Sequence, residues 1–150
     1  MTVSHTPSRE DCAALLQGRG LRVTAGRVAT ISYLSTHPHG SASEVHSALA
    51  TELPSLTLQS VHNIVQDLSE CGILSRVDLH DSASARYEVA RRDNHHHIQC
   101  VVCRRIEDVD CAEGLAPCLT PSNAHGMRIL EASVTFRGIC QSCDATATTE

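Results

Sequence analysis

The chain contains no lysine, so all twelve of its basic residues are arginine. It also lacks any apolar run near the ~20 residues of a membrane-spanning helix, which excludes a helical membrane anchor. No internal repeat or low-complexity tract is visible, and a repeat array is excluded with it. The opening MTVSHTPSREDC places charged and polar residues where a signal peptide needs an apolar stretch, so a cytoplasmic protein is expected. A formal net charge of −5 with His neutral speaks at first sight against a nucleic-acid partner. Total charge misleads here, because Arg9, Arg19, Arg22 and Arg27 cluster near the start while acids dominate later. Bound divalent cations would offset part of the negative field and make any DNA affinity depend on metal. No His-x-Glu element precedes the first Cys-x-x-Cys, and a zinc deaminase would need one together with an open ligand position. The expectation is therefore a protein that is not an enzyme.

At 150 residues and 41% hydrophobic content, the chain fits one large or two small globular domains. Its eight cysteines, in a cytoplasmic setting, point to metal or thiol chemistry rather than a disulfide framework. Cys100/Cys103 and Cys140/Cys143 form two Cys-x-x-Cys pairs just after the run His95-His96-His97. Thiolates two residues apart can occupy adjacent corners of a tetrahedron, and the second pair completes a closed shell for Zn²⁺. A closed shell is structural, because no position remains for substrate. The stretch between Cys103 and Cys140 is too long for a compact ribbon, so strands must bring the pairs together. Two redox dithiols or two disulfides are the alternatives. Cys12, Cys71, Cys111 and Cys118 lack the paired spacing and read as buried small hydrophobes.

Helical periodicity spans Arg9–Gln17, with Cys12, Leu15 and Leu16 on one face, and stops at Gly18-Arg19-Gly20. A second helix starts at the cap Thr24, turns Val28, Ile31 and Leu34 inward and ends before His37-Pro38-His39-Gly40. Ser41 or Ser43 caps a third, with Val45 and Leu49 apolar, ended by Pro54. The fourth covers about Thr57 to Cys71, where Leu58, Val61, Ile64, Val65 and Leu68 form a core stripe that Gly72 stops. The short link around Leu53–Leu56 makes the last two a helix-turn-helix. Strand-like Leu74–Leu79 and Arg86–Val89, joined by a polar loop, then read as the wing of a winged helix. Gln59, Ser60, His62, Asn63 and Gln66 face away from the apolar stripe, where Gln and Asn can read adenine edges or simply meet water. Residues 90–94 look like a hinge after a DNA-binding domain over 1–89. Ile98–Val102, Ile106–Val109 and Ile129–Phe136 read as strands of a zinc-bound domain over 95–144, with a short or broken helix at most between Glu113 and His125. A disordered tail over 145–150 follows. The expected class is α+β, an N-terminal winged helix-turn-helix domain followed by a small α/β domain with a four-cysteine zinc site.

On a strand, His95 and His97 point to one side and His96 to the other, so the first two can share a metal. Nitrogen and carboxylate donors suit Fe²⁺, Mn²⁺ or Zn²⁺. Spacing does not identify the remaining donors. The ordered set Leu21-Arg22-Val23-Thr24…Arg27, the helix-turn-helix, Arg86-Tyr87-Glu88, His95-His96-His97-Ile98-x-Cys100-x-x-Cys103 and Cys140-x-x-Cys143 resembles the ferric uptake regulator superfamily over nearly the whole chain. Asp93-Asn94-His95-His96-His97 and Asp108-Val109-Asp110-Cys111…Ala116-Pro117-Cys118-Leu119-Thr120 look most like its actinobacterial peroxide-responsive branch, repressors of catalase genes.

The resemblance implies a homodimer joined through the zinc domain, with the winged helix on an AT-rich inverted repeat of double-stranded DNA. It matches His39, Glu88, His95, His97 and Asp108 to a sensory site for Fe²⁺ or Mn²⁺, with Zn²⁺ or Ni²⁺ as substitutes. His39 and His95 match the histidines oxidised when Fe²⁺ there meets H2O2. Arg22 matches a minor-groove position and Arg27 a phosphate contact. Departures from the pattern are His62 where many relatives carry tyrosine, and Ala25-Gly26 for Pro-Gln. A third metal site of some relatives falls on Asn94, Leu115 and Ala132, which leaves only His96, and that site is expected to be absent. Two other readings remain beside the peroxide sensor: a repressor responding to iron or zinc level, and a thiol switch in which oxidised Cys-x-x-Cys pairs release zinc.

Overall fold

The computed structural model describes residues 6–91, 93–112, 118–130 and 132–147. The chain divides into two compact units, Met1–Ala90 and Arg91–Glu150.

The first unit is built from α1 (Arg9–Gly18), α2 (Ala25–Thr36), α3 (Ala42–Leu49) and α4 (Leu58–Glu70), followed by the hairpin β1 (Leu74–Val77) and β2 (Arg86–Val89). Each helix begins where a side-chain oxygen takes an otherwise orphaned backbone N–H. Ser8 and Ser41 form capping boxes with Asp11 and Glu44, while Thr24 and Thr57 accept from the N–H groups of Arg27 and Ser60. Val61, Val65 and Leu68 recur at helical spacing along α4 and are fully buried. They meet Leu16, Ile31, Leu34 and Val45 in one core. Each such side chain contributes roughly 1.5–3 kcal/mol by leaving water, enough in sum to fix how α4 lies on α2 and α3. Gly72, at φ 75, ends α4 in the left-handed region that glycine enters without steric cost. Leu15 is 36% exposed rather than inward with Cys12 and Leu16, which alone fill the i, i+4 contact of α1.

In the second unit β3 (His95–Cys100) is central, antiparallel to β4 (Ile106–Asp110) and parallel to β5 (Thr135–Gly138), and α5 (Gln141–Ala147) follows. The histidine run is itself strand, because His95, His96 and His97 pair with Asp110, Val109 and Asp108. The last strand is shorter than its apolar pattern suggests, starting at Thr135 rather than Ile129. The tail expectation needs a correction over 145–147. Cys140 starts a helical turn, its carbonyl accepting from the N–H groups of Cys143 and Asp144, and α5 carries this through Ala147. Residues 148–150, Arg92 of the expected hinge and 113–117 of the proline-bearing segment lie outside the described residues; no helix forms over 118–125.

Candidate metal centres

The turn between β3 and β4 carries the first pair of cysteines, and the helical turn that opens α5 carries the second. Cys100 ends β3, and the following turn is closed by the Arg104 N–H donating to the Cys100 carbonyl at 3.0 Å. Arg104 takes φ 67 to make that turn. Because β5 runs beside β3, Cys140 and Cys143 arrive next to the first pair. The four sulfurs lie within 4.8 Å of one another, and Cys103 Sγ is 3.8 Å from Cys140 Sγ. That separation equals the edge of a tetrahedron with Zn–S bonds of about 2.3 Å. The backbone N–H of Cys140, 3.4 Å away, and then that of Cys103 hold the Cys100 thiol down to about 6. Cys143 is pushed up to about 12, first by its hydrogen bond with Cys140 and then by burial. Four crowded thiols cannot all ionise alone, and a divalent cation is what lets them do so. None of the eight cysteines, all among the described residues, is in a disulfide. The donor set fits structural Zn²⁺.

The nitrogen and carboxylate donors form two groups, one in each unit. In the first, His39 Nε2 stands 3.0 Å from Glu88 Oε2, and both side chains are more than nine-tenths buried. Three contacts pin the turn that carries His39. Gly40 accepts from the Tyr87 N–H at 2.9 Å, Arg86 donates to the His39 carbonyl at 3.3 Å, and the same guanidinium meets Glu44 at 2.7 Å. His39 itself sits at φ 65, a costly conformation for a residue with a Cβ. In the second unit the strand register sets His97 opposite Asp108, with Nε2 3.6 Å from Oδ1. Arg91 reaches the other Asp108 oxygen at 3.2 Å. His95 packs edge-on to His97, with ring centroids 5.1 Å apart, and its Nδ1 is 2.8 Å from Asp93. Asp93 was not singled out by sequence; a carboxylate two residues before a ligand histidine is the signal that would have found it.

The face of α4 expected to meet DNA presents Gln59, His62, Asn63 and Gln66 to solvent, with Ser60 half-buried. Gln59 donates to Asn63 at 3.1 Å, which holds both amides in one row. Arg22 is exposed, but the Arg27 guanidinium is engaged within the fold, 2.8 Å from Asp67 and donating to the Arg22 carbonyl at 3.0 Å. Arg27 thereby fastens the start of α2, and the Arg22 backbone, to α4.

The Ferric uptake regulator family matches residues 18–137. The chain belongs to this family. Transcriptional regulator FurA of Mycobacterium tuberculosis is 39% identical over 138 residues, covering 92% of this chain and 93% of the relative. Peroxide-responsive repressor PerR of Staphylococcus saprophyticus is 29% identical over 150 residues, covering 95% and 94%. The same fold recurs in the ferric uptake regulator of Helicobacter pylori, with a TM-score of 0.71, 18% identity and coverage of 93% of this chain and 95% of that one. As a member of this family the chain is a transcription regulator, of the α+β type, with a sulfur knot suited to zinc. No helix among the described residues is long and apolar enough to cross a membrane. One further cluster was missed by sequence: His96, Cys111 and Cys118 lie together, where the two cysteines had read as inert hydrophobes.

Proposed function

We propose that this protein is a homodimeric, metal-dependent repressor that senses peroxide through oxidation of a histidine at its sensory metal. The observation that carries the proposal is the separation of donor chemistry. Sulfur is gathered in one knot, while buried His39–Glu88 and the His97–Asp108 pair offer only nitrogen and oxygen. Hard and borderline donors of this kind suit Fe²⁺ and Mn²⁺. We assign His39, Glu88, His95, His97 and Asp108 to that metal, and Cys100, Cys103, Cys140 and Cys143 to structural Zn²⁺. Fe²⁺ held there would supply the first electron that splits the O–O bond of H2O2, and the histidine that gains one oxygen would supply the net oxidation equivalents, the other oxygen leaving as water. Asp93 takes the Nδ1 edge of His95 and so orients Nε2 as the ligating nitrogen. The cation would favour one DNA-competent state, and an oxygen added to His39 or His95 would remove that preference.

On DNA, α4 enters the major groove with Gln59, Ser60, His62 and Asn63 at base edges. Arg22 enters the narrow minor groove of an AT-rich inverted repeat. Arg27 matches a phosphate contact by resemblance; for it we propose a role in fixing that arm, since its guanidinium meets Asp67 and the Arg22 carbonyl. The second unit leaves Val102 60%, Phe136 48% and Ile139 55% exposed, apolar surface that a second copy would cover. The regulated genes are those for catalase and other oxidative-stress defences, and the setting is the cytoplasm.

The test is to treat Fe²⁺-loaded protein with one equivalent of H2O2 and follow the peptides holding His39 and His95 by mass spectrometry. One added oxygen on either, absent from an Mn²⁺-loaded control, is expected. Unmodified histidines with intact cysteines would instead support a metal-level repressor. That reading is favoured by Ferric uptake regulation protein 1 of Mycolicibacterium fortuitum, 39% identical over 126 residues and covering 84% of this chain and 78% of that relative. Oxidation confined to the Cys-x-x-Cys pairs would move the switch to the zinc knot.

A further inference from the structure

The ligand atoms of His96, Cys111 and Cys118 all lie within 4.8 Å of one another, and His96 Nε2 is 3.3 Å from Cys118 Sγ. Strand alternation explains how two of them meet. His96 pairs with Val109, and the ladder continues past β4 because the Cys111 N–H donates to the Asn94 carbonyl at 3.2 Å. Residues 94, 96, 109 and 111 therefore share one face of the sheet, opposite His95 and His97. Cys118 returns to that face, where the Asn94 side chain also reaches its sulfur. His96 is only 7% exposed, and both cysteines are half-buried.

From this geometry we infer a third metal site, in which His96, Cys111 and Cys118 bind a thiophilic divalent cation, Zn²⁺ by its donor chemistry, with the fourth position open. Tetrahedral zinc with bonds of about 2.3 Å to sulfur and 2.0–2.1 Å to nitrogen needs donor–donor edges of roughly 3.5–3.8 Å. Small side-chain rotations bring this cluster to those edges. Two thiolates and a neutral imidazole make the loaded site electrically neutral, whereas the four-cysteine knot stays negative, so burying it carries less desolvation cost. Soft sulfur selects against Mn²⁺ and Fe²⁺, so the site does not compete for the sensory metal. The donors differ from those expected of a third site by resemblance, since neither Cys111 nor Cys118 was among them. The cation would tie β3, β4 and the segment at 118 together. The inference stands whether or not the sensory reading holds.

Cobalt reads this site selectively. Sulfur-to-cobalt charge-transfer absorption reports thiolate ligation, and the proposed sensory donors contain no sulfur. Reduced, full-length protein that retains its structural zinc is titrated anaerobically with Co²⁺, with zinc content measured throughout. The expected result is a charge-transfer band that saturates at one equivalent per protomer. It should persist in His97→Ala, weaken in His96→Ala and vanish in Cys111→Ser/Cys118→Ser, with zinc retained in each. The wild type should also bind one more equivalent of Zn²⁺ than the double variant. No band in the wild type would overturn the inference, as would an unchanged band in the double variant, which would trace it to exchange at the knot. A Cys111–Cys118 disulfide in protein isolated anaerobically would overturn it as well.

Discussion

His39 occupies a left-handed backbone conformation, φ 65, while its imidazole lies against Glu88. A non-glycine residue there costs about 1–2 kcal/mol, because the Cβ crowds the following carbonyl. Comparing His39→Gly with His39→Ala isolates that cost. Both variants delete the imidazole and leave Glu88, only 4% exposed, without its 3.0 Å partner, so this loss cancels between them. Glycine relieves the strain but gains freedom in the unfolded chain, which returns about 0.4–1 kcal/mol. The net expectation is that His39→Gly is more stable than His39→Ala by about 1 kcal/mol, a Tm difference of about 4–8 °C for a unit this size. Urea unfolding of zinc-retaining protein with the sensory site stripped gives the stability. Fluorescence anisotropy with an AT-rich inverted-repeat duplex gives the Mn²⁺ dependence of DNA binding. Both variants should lose that dependence, with Mn²⁺ bound at least about tenfold more weakly. Equal stabilities, or a more stable alanine variant, would refute the strain argument. Undiminished Mn²⁺-dependent binding in either variant would remove His39 from the sensory site.

Asp108→Ala should abolish Mn²⁺-dependent DNA binding yet leave a zinc-loaded dimer, whereas Cys100→Ser should lose zinc and dimer together; metal analysis with light scattering separates the two. Ser41→Ala breaks the capping box at the start of α3 and should cost about 1 kcal/mol in urea unfolding. Arg22→Gln should lower the salt slope of DNA binding by about one, as loss of a phosphate-region charge does. Arg27→Gln should leave that slope nearly unchanged, because its guanidinium is held by Asp67 and the Arg22 carbonyl. Its stability loss should stay near or below about 1 kcal/mol, since the Asp67 side chain is 45% exposed.

Much of the N-terminal unit was legible because its signals are local. Thr24 caps α2 as expected, Ser41 rather than Ser43 caps α3, and the Val61–Val65–Leu68 stripe is a period-3.6 pattern that only one face can satisfy. The second unit was less legible because its order comes from pairing. His95-His96-His97 carries no strand propensity of its own, and it is strand because β4 and β5 flank it. The helix through Ala147 likewise depends on the turn that Cys140 starts. Cys111 and Cys118 illustrate the limit best. Their distance in sequence says nothing of a shared ligand, and only the β3–β4 register puts Cys111 on the face of His96. Arg27 shows the converse, a charge that sequence offers to DNA and that also meets Asp67 within the fold.

The three donor groups differ in what a cation does to their charge, and this bears on why a chain with a formal net charge of −5 can serve DNA. Zinc in the four-thiolate knot leaves that centre negative, so it contributes folding free energy and no attraction for phosphate. The proposed sensory donors are two carboxylates, Glu88 and Asp108, with neutral imidazoles, so a divalent cation bound there would cancel their charge. Buried His39–Glu88 sits directly behind the turn that leads into α3, the first helix of the helix-turn-helix. On the proposed assignment, metal there would act in two ways at once, by removing negative potential near the DNA-binding face and by favouring one DNA-competent state. The first effect fades with ionic strength over a Debye length of about 10 Å at 0.1 M salt, and the second does not. A sensor of the proposed kind would retain metal-dependent binding at physiological salt only if the conformational preference carries most of the coupling, so metal dependence that survives high salt would favour that preference over charge neutralisation alone.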